Sequence, residues 1–296
     1  MFVGRFEEDV LFSNTREYTN CQFYHDNNNI SLYFWGTVYN LKELGFRECL
    51  NFAELFYGLY INLGIKGFSR VDGSFTFIIS KPDEVIIGRD HHGTNLQVYY
   101  NSTHYASSLM KLQKTEGFVS EPDYKALSLF LSIGYIATPN SAFSNVNKLG
   151  AGELLMYKSG RFSTISMFET KDIKPSFEKM DLEELSAQYG KLHVEAIQRR
   201  IAGKQKIGIL LSGGYDSGRN LVALREQYSG DIYSFSIGFK GYDWSELPLA
   251  KCMSATFQTI HKEYEIDGSE IDALPEIIKS LGDPFVEGGL MVIMLP

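Results

Sequence analysis

A short glycine-rich segment, Ser212-Gly-Gly-Tyr-Asp-Ser217, constrains the fold of this chain more than any other feature. It follows an apolar run at Lys206–Leu211, which is typical of a buried strand, and it precedes a helical pattern at Arg219–Tyr228. Strand, helix and strand patterns then follow at Ile232–Ile237, Leu247–Phe257 and His261–Ile266. This alternation predicts an open parallel sheet with helices on its faces, and it places the segment at the carboxyl edge of the sheet, where such folds bind ligands.

The residue types of this segment are suited to holding phosphate. Gly213 and Gly214 allow a tight turn and a close approach to a ligand, while the hydroxyls of Ser212 and Ser217 add donors beside a helix N-terminus. The Asp216 carboxylate would repel phosphate unless a divalent cation lay between them, and Mg²⁺ is the expected ion. Ser-Gly-Gly-x-Asp-Ser is the motif of pyrophosphate loops, in enzymes that adenylate a substrate. The segment therefore predicts Mg²⁺-ATP binding, with a plain structural turn as the alternative.

The first half of the chain has a different pattern, in which strands enclose few helices. β-rich runs at Ile30–Trp35, Ser74–Ile79 and Glu84–Ile87 are separated by turn residues. Apolar stripes that begin at Phe52 and Leu127 predict two helices. This pattern favours a layered α+β sandwich.

A charged segment marks a boundary between the two halves. We expect a first domain over residues 1–168, a linker over 169–181 and a second domain over 182–296. Asp181, with Glu184 three residues later, predicts the start of a helix that buries one apolar stripe. The residues of this stripe are Leu185, Tyr189, Leu192 and Ala196.

Charge and composition exclude several classes of partner. The formal net charge of −8 argues against binding nucleic acid by phosphate neutralisation. Acidic residues at positions 7–9 are unlike a secretory signal, and no apolar run is long enough to cross a membrane. The spacing of Cys21, Cys49 and Cys252 indicates free thiols. We therefore expect a cytoplasmic protein without nucleic-acid or membrane partners.

Several segments, in the same order along the chain, resemble asparagine synthetase and its relatives. They are Trp35–Asn40, Val71–Phe77, Gly88–Gly93, Tyr99–Tyr100, Gly134–Ile136, Lys148–Gly152, Leu210–Ser217, Phe235–Phe239 and Asp283–Phe285. The resemblance implies an Ntn-hydrolase-like glutaminase α/β-sandwich followed by an adenine nucleotide α-hydrolase-like (PP-loop) parallel-sheet domain. It also implies that Leu210 and Ile237 hold adenine, that Gly238 lets the nucleotide approach the second strand, and that Asp216 binds the metal.

The chain departs from this family in its first half. The resemblance implies a Cys nucleophile at position 2, where this sequence has Phe2, and an oxyanion Asn-Gly pair, where it has Trp35-Gly36. The stretch that supplies an Arg for glutamine looks deleted between Phe6 and Ile30. We therefore expect no glutaminase activity, as in β-lactam synthetases and lasso-peptide cyclases. The expected substrates are a small-molecule or peptide carboxylate and an amine or ammonia.

The second half also departs from the family, because the sequence stops at Pro296, before the family's second acidic loop. A fragment of a longer enzyme, a site completed by a partner subunit, and a non-catalytic ATP-binding scaffold all remain open, and a homodimer or a second subunit is a possible partner. Sulfur transfer to tRNA is disfavoured by the acidic balance and the lack of paired cysteines.

Weaker candidates complete the sequence interpretation. Asp283 and Glu287 could line a substrate cleft or start a solvated helix. Asp243, Ser245 and Glu246 could face the acceptor. We interpret His91-His92 as part of a turn rather than as a metal site.

Overall fold

Strands dominate the chain up to residue 166, and helices alternate with strands beyond it, in the order that the sequence predicts. The computed structural model describes residues 2–6, 21–46, 51–168, 180–241 and 245–286. Cys49, Asp243, Glu287 and most of the predicted linker lie outside these ranges. One compact unit contains the described residues of Met1–Lys171 and Glu276–Gly288, and a second unit contains those of Asp172–Pro275.

The first unit contains two antiparallel sheets. Its strands are β1 (Val3–Arg5), β2 (Cys21–His25), β3 (Ser31–Val38), β4 (Gly73–Lys81), β5 (Glu84–Arg89), β6 (Tyr99–Tyr100), β7 (His104–Ala106), β8 (Asn147–Lys148), β9 (Glu153–Lys158) and β10 (Arg161–Ser166). Its helices are α1 (Phe52–Leu63), a 3-10 helix (Gly64–Arg70), α2 (Leu109–Leu112) and α3 (Tyr124–Ile133). The described strands form a six-stranded sheet in the order β10-β9-β5-β4-β3-β2 and a four-stranded sheet in the order β1-β7-β6-β8.

The larger sheet has an apolar core on each face, as a layered sandwich requires. Along β4, Phe77 packs into a cluster with Phe56 of α1, while the next residue, Ile78, packs into a second cluster with Phe2 and Tyr105. Successive strand residues point to opposite faces, so that a strand buried on both sides has an almost continuous apolar sequence. This arrangement confirms the predicted sandwich.

The second unit is built on a parallel sheet of three described strands in the order β11-β12-β13. Its elements are α4 (Leu182–Ile201), β11 (Ile207–Leu210), α5 (Tyr215–Gln227), β12 (Ile232–Phe239), α6 (Leu247–Thr256), β13 (Ile260–Ile266) and a 3-10 helix (Ser269–Ala273). The last helix, α7 (Leu274–Leu281), begins in the second unit and continues into the first. The predicted alternation of strands and helices around a parallel sheet is therefore confirmed.

Two predictions of burial in the second unit are wrong. Helix α4 does start at Asp181, whose carboxylate accepts the Glu184 N–H in a capping box. However, Tyr189 and Leu192 of its apolar stripe are 55% and 54% exposed. Strand β11 lies at the edge of the described sheet, and Leu210 at its end is 61% exposed. A periodic pattern shows which face of an element is apolar, but it does not show whether a partner covers that face.

No helix among the described residues is both long enough and apolar enough to cross a membrane.

Candidate functional site

The Ser212–Ser217 loop lies at the carboxyl edge of the parallel sheet. It connects the end of β11 to the start of α5, for which Gly214 is the N-cap residue. The Leu211 N–H donates to the carbonyl of Phe235 (2.8 Å), so the chain stays attached to β12 until the loop begins. The predicted strand, loop and helix are therefore confirmed, and the first turn of α5 presents its N–H groups at this edge.

The backbone at Gly213 has a conformation that requires glycine. Its φ is +84°, in the left-handed region, and a Cβ there would lie 2.8 Å from the Glu246 carbonyl oxygen and 3.0 Å from the Ala250 nitrogen. A side chain would therefore collide with the backbone at the start of α6. The tight turn of the loop and its packing on α6 both depend on this residue.

The two serines hold the loop in a defined shape. The Ser212 N–H donates to Ser217 Oγ (3.2 Å), and the two hydroxyl oxygens lie 3.0 Å apart. The Gly214 N–H donates to Ser212 Oγ, and the Ser217 hydroxyl donates to the Gly214 carbonyl, both at 3.2 Å. These contacts fix the shape of one exposed turn at the N-terminus of α5, and the N-terminus of a helix can bind an anion.

Two carboxylates accompany this turn. Asp216 lies in the first turn of α5 with an exposed side chain. Glu246 comes directly before α6, and its Oε1 lies 3.9 Å from the position that a Cβ on Gly214 would occupy. The structure thus brings Glu246, a weaker candidate from the sequence, next to the loop.

The donor set fits a metal ion that arrives with a nucleotide. Within the described ranges, no group of three or more His, Cys, Asp or Glu side chains could hold a metal ion. Mg²⁺ is commonly bound by one or two carboxylates together with substrate phosphates and water. The exposed Asp216 beside an anion-binding turn matches that pattern.

The predicted adenine-contacting residues lie on the two strands next to the loop. Leu210 ends β11 and pairs with Phe235, and Ile237 lies two residues further along β12. At Gly238, a Cβ would approach Leu247 Cγ to 2.5 Å and Ser245 Oγ to 2.7 Å. Glycine is therefore required there for packing against the start of α6. Contact of these three residues with a nucleotide stays a prediction.

Phe2 is part of an aromatic core in the first unit. Phe2 is fully buried, its ring centroid lies 4.8 Å from that of Trp35, and its N–H donates to Ser107 Oγ (2.8 Å). Gly36 has a φ of +123°, and a Cβ there would lie 1.9 Å from the Ser74 carbonyl oxygen. The glycine that follows Trp35 is thus required by strand packing alone.

Cys21 packs against the same cluster, on β2 opposite Trp35 of β3. Burial raises the pKa of its thiol to about 11. A thiol with this pKa stays protonated at neutral pH, and the protonated form is a poor nucleophile.

The adjacent His91 and His92 lie in a turn, as predicted. The Asp90 carboxylate accepts the N–H groups of His92 (3.0 Å) and Thr94 (3.1 Å) and so closes this turn.

Two family models match the chain, one in each half. The model of a glutamine amidotransferase domain matches residues 15–168, and the model of asparagine synthase matches residues 188–295. Together they cover most of the sequence, in the order that the fold requires.

Individual relatives are similar over most of this chain. A putative glutamine-hydrolysing asparagine synthetase from Methanocaldococcus jannaschii is 27% identical over 266 residues, which are 84% of this chain and 50% of the relative. Asparagine synthetase 1 of Bacillus subtilis is 25% identical over 274 residues (86% and 42%), and the mouse enzyme is 28% identical over 283 residues (84% and 47%). The chain thus spans about half the length of the curated relatives that it matches. From its two domain matches and these relatives, this chain belongs to the asparagine synthetase family.

Proposed function

We propose that this chain binds Mg²⁺-ATP at the Ser212–Ser217 loop and activates a carboxylate for amide formation, without a glutaminase of its own. The geometry of the loop carries the proposal. A left-handed Gly213, two joined serine hydroxyls and the N-terminus of α5 converge on one exposed turn, with the Asp216 carboxylate beside it. This is an arrangement for a polyphosphate bound together with a cation.

The reaction has two steps in this proposal. A carboxylate oxygen of the substrate attacks the α-phosphorus of ATP, the bond from that phosphorus to the bridging oxygen breaks, and pyrophosphate leaves. An amine then attacks the acyl carbon, the acyl–oxygen bond breaks, AMP leaves, and the nitrogen loses a proton. The loop donors would hold the pyrophosphate as its charge develops, and Asp216 would hold the cation that neutralises it.

The nitrogen comes from free ammonia or from an amine in the substrate in this proposal. The position of the expected nucleophile is filled by the buried ring of Phe2, and burial keeps the neighbouring Cys21 thiol protonated because it raises its pKa to about 11. A hydrolytic site needs a nucleophile within reach of its substrate. The proposed setting is the cytoplasm, where ATP is plentiful.

The assignment of Asp216 is tested by nucleotide binding. We expect wild-type protein to bind Mg²⁺-ATP, and Asp216→Ala to bind it at least about tenfold more weakly, since the lost charge-assisted contact contributes roughly 1.5–3 kcal/mol. Isothermal titration calorimetry with and without Mg²⁺ measures both affinities. Glu226→Ala is the matched control, because Glu226 is an exposed acid near the other end of α5. Equal affinities of wild type and Asp216→Ala would contradict the assignment.

A nucleotide-binding subunit that is completed by a partner, or that has no catalytic activity, is the second candidate. The exposed Tyr189 and Leu192 favour it, because they lie on the same apolar stripe of α4, and an exposed apolar surface of this kind can be covered in an assembly. ATP binding without exchange of labelled pyrophosphate, across a panel of carboxylic acids, would support this candidate. Exchange with any acid would support the ligase.

A further inference from the structure

The segment Gly282–Val286 belongs to the first unit, although it follows the strands of the second unit in the chain. It lies within the range that the asparagine synthase model matches, residues 188–295. The compact unit of the amidotransferase-like half nevertheless includes the described residues 276–286. Part of the synthetase-like sequence is therefore built into the other half of the protein.

A buried ion pair joins this segment to the strand β8. Lys148 Nζ lies 2.6 Å from Asp283 Oδ2, and the two side chains are only 10% and 9% exposed. Each charged group has a second partner. Lys148 Nζ donates to the Ile136 carbonyl (2.6 Å), and Asp283 Oδ1 accepts the Ala142 N–H (3.1 Å). Charges buried to this extent are stable only when they are paired and hydrogen-bonded, so each one requires the other.

The backbone of the segment pairs with the residues that end α3. The Val286 N–H donates to the Gly134 carbonyl (2.7 Å), and Tyr135 and Phe285 form an antiparallel bridge. Gly134 has a φ of +82°, and a Cβ there would lie 3.0 Å from the Val286 carbonyl oxygen. Gly134 thus ends α3 in the left-handed region and also leaves room for the incoming strand.

We propose that the amidotransferase-like unit is a docking platform for residues 282–286, and that the Lys148–Asp283 ion pair locks this segment in place. This role needs neither a nucleophile nor a glutamine site. It therefore explains why the fold is kept in a chain that has Phe2 where the family resemblance implies a Cys nucleophile. Lys148 and Asp283 are positioning residues in this assignment. The proposal depends on the contacts of the segment alone and is independent of ATP binding.

Hydrogen exchange of the full chain tests whether the Lys148–Asp283 ion pair holds residues 282–286 in place. In Lys148→Met, which leaves the Asp283 charge unpaired, we expect the Val286 amide to exchange at least about tenfold faster, because local opening then costs less free energy. Amides of β4, in the centre of the larger sheet, should keep their wild-type rates. Mass spectrometry of peptides that cover 282–286 and 73–81 measures both regions in one experiment.

Lys279→Met is the matched control. Lys279 forms an ion pair with Glu276 on α7, but both side chains are largely exposed, at 57% and 75%. Exposed pairs contribute little to stability, so this variant should exchange like wild type at Val286. Equal acceleration in Lys279→Met and Lys148→Met would overturn the proposal, as would unchanged exchange in Lys148→Met.

The double variant Lys148→Met with Asp283→Asn covers the case in which the single variant unfolds. It removes both charges and keeps a side-chain oxygen for the Ala142 N–H, so we expect protection at Val286 between those of wild type and Lys148→Met. If the β4 amides of the double variant exchange faster to the same extent as Val286, the pair only supports the general core, and the docking role is wrong. If the wild-type protein does not bind ATP, the proposed function is wrong. That outcome would not affect the exchange result for residues 282–286.

Discussion

Phe2 packs in the aromatic core at the position where the family resemblance implies a nucleophile. Its ring lies among Trp35, Tyr105 and Phe6, in a cluster on one face of the larger sheet. Aromatic pairs at centroid distances of about 5 Å stabilise a core beyond the effect of the area that they bury. Phe2 is therefore a packing residue of this aromatic core.

We predict that Phe2→Ala lowers the free energy of unfolding by about 3–5 kcal/mol, the usual cost of truncating a fully buried aromatic side chain. Urea denaturation followed by far-UV circular dichroism measures the change. Phe23→Ala is the control, since Phe23 is 50% exposed and should lose much less. A Phe2→Ala protein as stable as Phe23→Ala would contradict the packing role.

At the residue scale, the sequence predicts the Ser212–Ser217 loop better than its surroundings. The motif and its place between strand and helix follow from local spacing, because its residues are continuous in the chain. The collision of a Gly213 side chain with the Glu246 carbonyl does not follow, since α6 is more than thirty residues away. Only the fold brings the start of α6 to the loop, and local patterns carry no signal for such contacts.

At the element scale, Arg225 joins the ends of two helices in the second unit. Its guanidinium donates to the carbonyls of Phe257 (3.0 Å) and Gln258 (3.1 Å), just after α6. It also donates to those of Tyr228 (3.3 Å) and Gly230 (3.0 Å), after α5. A planar group with five donors in a fixed geometry can satisfy four carbonyls at once, which a lysine ammonium cannot do.

We predict that Arg225→Lys lowers the free energy of unfolding of the second unit by roughly 2 kcal/mol, because carbonyls at two helix ends lose charged donors. Urea denaturation with hydrogen exchange of α5 and α6 peptides checks the size and the place of the effect. Arg161→Lys, at an exposed strand position, should change neither. If the two variants are equally stable, Arg225 has no clamping role.

The elements themselves follow closely from the sequence, whereas their burial does not. The period of the apolar residues predicts α4, and Asp181 with Glu184 predicts its N-cap. The alternation of strands and helices predicts that β11, β12 and β13 form a parallel sheet. The exposure of Tyr189 and Leu210 depends on what packs against those surfaces. Burial is a property of the neighbours, so periodicity alone cannot predict it.

At the scale of the whole molecule, the two units contain different features. The Ser212–Ser217 loop lies in the second unit, while the first is an amidotransferase-like sandwich whose aromatic core contains Phe2. The ion pair between Lys148 and Asp283 spans 135 residues of sequence. Local residue spacing cannot predict a contact between residues this far apart. From the sequence alone, Asp283 is therefore a candidate for a substrate cleft or for a solvated helix start.

We predict that the purified chain releases no glutamate from glutamine above a blank, because no nucleophile faces a substrate at position 2. An enzyme-coupled glutamate assay measures the release. In an assay of amide formation, ammonium should serve as the nitrogen source where glutamine does not. Activity with ammonium would show that the protein is functional, and it is therefore the positive control. Glutamate release that depends on the protein would contradict this prediction.

The placement of Trp35 has a practical consequence for measuring this protein. Its indole is buried against the ring of Phe2 and lies 6.4 Å from that of Tyr33, so its fluorescence is shielded from solvent and can be excited by energy transfer from tyrosine. The chain has one other tryptophan, Trp244, in the second half of the sequence. A Trp244→Phe chain would emit from Trp35 alone, and its spectrum would follow the opening of the front sandwich without a contribution from the second half of the chain.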